Sequence, residues 1–397
     1  MRSLSYWTIA LAGLAVLAWV FWEASREPAR PARATATAPG NRPSTSVAQP
    51  TPPATPASPP PTNLISAPAV PRAPTAAPGV VHPPAVSNVA QVSPPTGPPL
   101  FPTNLVLNGR WDGPRPVGTT FEMQLALARR GFSSGSLDGR AGSQTRAALR
   151  AFQAQVGLRI SGVLDTATRA ALSLDPEPVT TYRVTSADLA RLRPLSRTWL
   201  GKSQQDRLDY ETILELVAER SWSHPRLIRE LNPRVNWAEV SPGTIVQVPH
   251  VIPLSRTKAA ELKIELSGKV LRAYDARANL IAFMPCSIAK RVEKRPVGTL
   301  RVARVALNPV YTFNPEIFRE SPEARRLNRK LDIPPGPNNP VGVAWIGLDK
   351  PGYGIHGTPE PEQVGRTESH GCFRLANWNA EYLAGIVSVG IPVNIEP

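Results

Sequence analysis

Proline is the feature that most constrains this chain. Of the 46 prolines among 397 residues, a dense run lies between Pro28 and Pro102, interleaved with Ala, Thr and Ser and few large apolar side chains. Such a stretch buries too little apolar surface to offset the entropy of ordering it, so residues 24–104 read as an extended, disordered linker. Folded structure is expected from about residue 105 onward, and the remaining length suits two or three small domains rather than one large core.

Ahead of the linker, Arg2 precedes an uncharged run from Tyr6 to Trp22, which Glu23 ends. The run is about 17 residues, the lower limit for crossing a bilayer. Trp7, Trp19 and Trp22 near its ends suit the membrane interface. No small-x-small cleavage site follows the apolar core, so residues 1–23 are expected to be an uncleaved anchor in the cytoplasmic membrane rather than a removed signal segment. A buried core helix fits poorly, because a linker follows it. Anchor and signal alike place the rest of the chain outside the cytoplasm, although Arg26, Arg30 and Arg33 on that side run against the usual charge asymmetry. The net charge of +15, from 45 basic and 30 acidic residues, is scattered and accompanies no nucleic-acid motif. It is read as a surface property, and no nucleic-acid partner is expected.

Three modules follow the linker. In residues 117–174, Phe121, Leu125 and Ala128 have helical spacing, and Gly131 stops that helix. Thr145, Leu149, Phe152 and Val156 give a second helix one apolar face, and Asp165 can cap a third helix carrying Ala171 and Leu172. A three-helix bundle is expected. Its strings Leu137-Asp138-Gly139, Gln144-Thr145, Ala151-Phe152-Gln153 and Gly162-Val163-Leu164-Asp165 resemble the helical peptidoglycan-binding domain of wall hydrolases. A purely structural spacer is the alternative.

In residues 180–250, Tyr182-Arg183-Val184 reads as a strand, and Asp209 can cap a helix bearing Ile213, Leu214 and Val217. Ser223 with Pro225 opens a second helix ending at Leu231-Asn232-Pro233, and a strand follows from Thr244 to Val248. This βααβ order, with Leu-Asn-Pro, Pro-Gly-Thr and Val-Pro, resembles a LysM glycan-binding module. Ser186 to Asp206 is an insertion where that family has a short turn, so a structural copy stands beside a sugar-binding one.

Residues 258–396 read as mainly β. Leu262 to Leu266, Val270 to Tyr274 and Ile281 to Met284 are short strands parted by Ser-Gly and Ala-Asn turns, which suggests a sandwich or barrel. Near the C-terminus stand Tyr353-Gly354-Ile355-His356-Gly357-Thr358 and Ser369-His370-Gly371-Cys372-Phe373-Arg374. A thiol becomes a strong nucleophile as thiolate, which needs a nearby base or cation. His370 lies two residues before Cys372 and would share its side of a strand, while His356 reaches it only if the chain folds back. Gly371 lets backbone amides approach a developing oxyanion. A metal site of His356, His370 and Cys372 lacks the usual ligand spacing, so neither metal nor cofactor is expected. Gly352-x-Gly354-x-x-Gly357 matches a dinucleotide fingerprint by letter, but Pro359 and Pro361 forbid the helix that motif needs. Cys286 is expected to be a packed free thiol rather than the disulfide partner of Cys372.

This arrangement closely resembles the YkuD-type L,D-transpeptidase catalytic domain. The resemblance extends upstream to Arg295-Pro296-Val297-Gly298, Asn308-Pro309, Tyr311 to Pro315 and Pro334 to Gly342. It implies that Cys372 attacks meso-diaminopimelate in a tetrapeptide stem, leaving a thioester that an acceptor amine resolves. It further implies His356 as base, held by a backbone carbonyl near Gly357, with His370 in support and the Gly371 and Cys372 amides as oxyanion hole. Arg374 would bind a substrate carboxylate or form an ion pair under the loop, and Ser369 and Tyr353 would pack beside substrate. Peptidoglycan stems and glycan are the implied partners. An L,D-carboxypeptidase and a non-catalytic wall-binding protein are the competing readings.

Overall fold

The structure, a computed structural model, describes residues 105–106 and 112–397, apart from 319–320 and 368–370. The expected anchor at 1–23 and linker at 24–104 lie outside the described residues. Among the described residues no helix is long and apolar enough to cross a membrane.

The helical region forms where the apolar spacing predicts it. Strand β1 (Leu105–Val106) and β2 (Arg115–Pro116) precede helices α1 (Thr120–Ala128), α2 (Ser143–Gln155) and α3 (Thr166–Ala171), and β3 (Ser173–Leu174) pairs with β2. Thr119 and Glu122 close a capping box on α1, and Asp165 caps α3 through the Thr168 amide at 2.8 Å. Thr145, Leu149 and Phe152 are buried as expected, but Val156 is 45 % exposed. Val156 sits past the last turn of α2, where the helical stripe no longer faces the core.

The second module has the expected order. β4 (Val179–Arg183) pairs antiparallel with β5 (Ile245–Pro249), and β1 flanks β4 on its other edge. Between β4 and β5 run α4 (Ser186–Ala190), α5 (Trp199–Ser203), α6 (Ile213–Arg220) and α7 (Pro225–Leu231). Two expected caps move. Thr212 with Glu215 caps α6, leaving Asp209 to pair with Arg191 at 2.7 Å, and the His224 ring rather than Ser223 caps α7. The insertion supplies α4 and α5.

The third module is one eight-stranded sheet, ordered β14-β13-β12-β9-β15-β6-β7-β8. Its strands are β6 (Glu261–Glu265), β7 (Val270–Tyr274), β8 (Leu280–Pro285), β9 (Gly298–Leu307), β12 (Ala344–Leu348), β13 (Gly354–His356), β14 (Phe373–Arg374) and β15 (Pro392–Glu396). A separate hairpin, β10 (Tyr311–Phe313) with β11 (Leu331–Ile333), carries helix α8 (Pro322–Leu327), and helix α9 (Asn377–Ile386) precedes β15. The sheet curls until its ends meet, where Ser287 beyond β8 exchanges both backbone hydrogen bonds with Arg374 of β14. Of the expected sandwich or barrel, the catalytic module is a single curled sheet, a half-barrel. Leu262, Ile264, Leu271, Val302, Ile346, Ile355, Phe373 and Ile395 fill its interior against Leu383 and Ile386 of α9. Each such side chain contributes about 1.5–3 kcal/mol of burial.

The three modules share cores. Val270, Phe283 and Trp378 of the sheet module pack in one cluster with Leu125, Phe132 and Phe152, together with Trp222 of the second module and Val251 just after it. Gly131, at φ +84°, lets the helical region approach β8: a Cβ there would stand 2.7 Å from the Ile281 carbonyl.

Candidate active site

Parallel pairing of β13 with β14 builds the site. Ile355 stands opposite Phe373, and both point into the core. His356 stands opposite Arg374, so the alternation of strand side chains puts His356, Arg374 and, two residues before it, Cys372 on one face. Cys372 lies sixteen positions after His356, and the pairing of β13 with β14 brings the two motifs side by side, as the distant histidine requires.

His356 is buried, and its Nδ1–H donates to the Gly357 carbonyl at 2.6 Å. That bond fixes the tautomer and leaves Nε2 with its lone pair. The ring stacks on Trp345, its cross-strand partner, with centroids 5.5 Å apart. Burial pulls the imidazole pKa down to about 4, with the nearby Arg374 cation adding to the effect and the Gly357 hydrogen bond opposing it. The ring is therefore neutral at physiological pH and able to accept a proton.

The Cys372 thiol donates to the Gly352 carbonyl at 3.5 Å. Burial pushes it up to about 11, against a backbone hydrogen bond from Gly354 and the Arg374 charge. The resting pair is thiol and neutral imidazole rather than thiolate and imidazolium. Gly371 has no described atom within 4 Å of where a Cβ would stand, so the space beside the thiol is open. Gly357 serves the histidine through its carbonyl and is packed against the Asn377 side chain, which leaves no room for a Cβ. Tyr353 is half-buried against the sheet core with Lys350 over its ring at 5.0 Å. Arg374 lies in the electrostatic reach of Cys372, Glu360 and Tyr311, and burial lowers its pKa. His370 and Ser369 lie outside the described residues. Cys286 is a fully buried free thiol, held up to about 12 by burial.

Two contributors escape sequence reasoning. Tyr311 of β10 has its pKa raised to about 12 by burial and by the neighbouring Cys372, which Arg374 opposes. It was visible only inside the family-like string, with no chemistry of its own to mark it. Asn377 at the start of α9 accepts from the Thr358 amide at 3.0 Å and the Val343 amide at 3.3 Å through Oδ1. Its Nδ2 donates to both carboxylate oxygens of Glu219 in α6 and to the Pro337 carbonyl, each at 3.1 Å. It therefore ties the His356-Gly357-Thr358 turn to the second module. The insertion helix α5 reaches the same region: Trp199 stacks on Phe313 of β10 with centroids 4.3 Å apart and packs on Phe318.

Comparison with known proteins agrees with this geometry. A family model described as "L,D-transpeptidase catalytic domain" (YkuD) matches residues 260–395, and one described as "Putative peptidoglycan binding domain" matches residues 120–172. The "Putative L,D-transpeptidase YkuD" of Bacillus licheniformis is 29% identical over 187 residues, covering 47% of this chain and 94% of its own. The "Putative L,D-transpeptidase YqjB" of Bacillus subtilis is 33% identical over 153 residues, covering 37% of this chain and 70% of its own. The crystal structure of an L,D-transpeptidase from Xylanimonas cellulosilytica shares 15% identity over 72% of this chain and 98% of that chain, with a TM-score of 0.30. The match of the catalytic-domain model and the 33% identity to the Bacillus subtilis relative show that the chain belongs to the YkuD family of peptidoglycan L,D-transpeptidases.

Proposed function

We propose that Cys372 is the acyl-accepting nucleophile of this transpeptidase and His356 its general base. The observation that carries this is the neutral His356 ring, with Nδ1 committed to Gly357 and Nε2 left to act, on the same face as the thiol. As a stem peptide binds, the Sγ proton passes to Nε2 and sulfur attacks the diaminopimelate carbonyl carbon. The oxyanion is met by the Gly371 and Cys372 amides. The C–N bond to D-Ala breaks, the leaving amine takes the proton from the imidazolium, and a thioester remains. An acceptor amine then attacks the thioester, its proton passes to His356, and the sulfur leaves and is reprotonated. Arg374 adds positive charge beside sulfur and substrate carboxylate, and its electrostatic coupling to both Cys372 and Tyr311 supports this role. His370, Ser369 and Tyr353 take supporting places around the bound stem.

The helical region holds the enzyme on peptidoglycan in the cell envelope, and residues 1–23 tether it to the cytoplasmic membrane. The second module, for all its LysM-like order, works chiefly as a support, since its insertion and α6 are spent on contacts with the catalytic module. Intact-protein mass after incubation with a carbapenem tests the nucleophile. One adduct on the parent and none on Cys372→Ser is expected; an equal adduct on the variant rejects the assignment.

A further inference from the structure

Between the helical region and the outer face of the sheet lies a cleft of about 1020 Å³, apart from the Cys372 face. One wall carries Ser134, Ser136 and Arg150; the other carries Lys269 and Asn279; Arg366 stands at the rim. Five lysine or arginine side chains line it against three carboxylates. Ser134 is only 5 % exposed, and neither its hydroxyl nor that of Ser136 has a hydrogen-bond partner among the described residues. Buried hydroxyls are seldom left unpaired, so two of them lining one cleft point to a ligand with hydroxyls and amides of its own. The cleft is large enough for a chain of sugars rather than a single small molecule.

We propose that this cleft is a binding site for the peptidoglycan strand, shared by the helical and catalytic modules, with the sugars hydrogen-bonded to Ser134 and Ser136 and the stem carboxylates drawn to the cationic lining. The proposal rests on the reading of Cys372 as the site of stem transfer and adds where the glycan lies. The rim connects the two sites. Gln144 of α2 donates to the Val364 carbonyl at 2.7 Å, and the Gly365 amide donates to Ser287 Oγ at 2.8 Å. Ser287 is the residue paired with Arg374, which stands two residues after Cys372. A strand seated here has its stem beside the arm that carries the thiol, so glycan register and acyl transfer are set together. A site on the helical region alone would not fix that register.

The test is calorimetric binding of a disaccharide-tetrapeptide muropeptide to the full chain carrying Cys372→Ser, which blocks turnover. Ser134→Ala removes one hydroxyl without enlarging any side chain. It is expected to weaken binding about three- to tenfold while leaving the melting temperature unchanged or raised. Lys269→Glu, on the catalytic wall, is expected to weaken binding by at least as much. Parent affinity in Lys269→Glu overturns the shared site, because binding then belongs to the helical region alone. Parent affinity in Ser134→Ala, or a free tetrapeptide binding as tightly as the disaccharide-tetrapeptide, overturns the sugar contact. Carbapenem acylation of the Cys372-containing parent chain reads the nucleophile separately from binding. Loss of acylation in the parent itself would count against the nucleophile and leave the binding result standing.

Discussion

Asn377 joins the second module to the histidine turn, donating to both oxygens of Glu219 while accepting from the Thr358 amide next to Gly357. Asn377→Ala removes a donor from the buried Glu219 carboxyl and the acceptor of two buried amides at once. A loss of about 2–4 kcal/mol is expected, read by urea denaturation, with slower carbapenem acylation as the His356 turn loosens. Unchanged acylation would show that the turn holds itself.

Glu219 also predicts a pH dependence. Burial first, and the neighbouring Glu215, push its carboxyl up to about 8, against the Asn377 and Tyr210 donors. A raised folded pKa means stability is fully present below the unfolded value near 4.5 and is lost as pH rises through about 8. His356 works the other way: with its folded pKa lowered from 6.5 to about 4, its contribution is fully present above the unfolded value and is lost progressively as pH falls from there through about 4. Glu219→Gln should therefore match the parent near pH 5 and gain on the order of 3 kcal/mol relative to it by pH 9, read from paired melting curves. A constant difference across that range would contradict the buried acid.

The thiol–imidazole pair has a kinetic signature. With Cys372 held up to about 11, alkylation by iodoacetamide should be slow at neutral pH and climb toward alkaline pH. Carbapenem acylation uses His356 as base and should hold steady from well above pH 4 to neutrality. His356→Ala should cost about 10²–10⁴-fold in acylation, more than His370→Ala. A larger loss at His370 would reverse the assignment.

Two glycines should separate chemistry from folding. Gly371→Ala meets open space and is expected to fold normally while slowing acylation about 10-fold or more, as the methyl enters the substrate side. Gly357→Ala collides with the Asn377 side chain and is expected to lower the melting temperature. Equal melting losses in both would contradict the difference in space.

Trp199 tests the reach of the insertion. Its ring stacks on Phe313, two residues from Tyr311 beside the thiol. Trp199→Ala should cost about 2–3 kcal/mol and raise KM for a muropeptide more than it lowers kcat. A pure stability loss with unchanged KM would limit the insertion to scaffolding.

The sequence by itself determined the local pieces. Helical spacing located α1 and α2, Asp165 marked the start of α3, alternation located β6, β7 and β8, and the pairing of Ser-His-Gly-Cys with His-Gly-Thr marked the chemistry. These are legible because period, cap and motif are written in residues close along the chain. Tertiary structure decided the rest. β13 and β14, of three and two residues, are too short to show alternation, and their parallel register is what brings His356 alongside Arg374 and Cys372. The curl that lets Ser287 meet Arg374, the seat of Trp199 on Phe313 and the grip of Asn377 on Glu219 join residues far apart in the chain. No local pattern encodes such contacts, because each is fixed only when separate elements bury their apolar faces together.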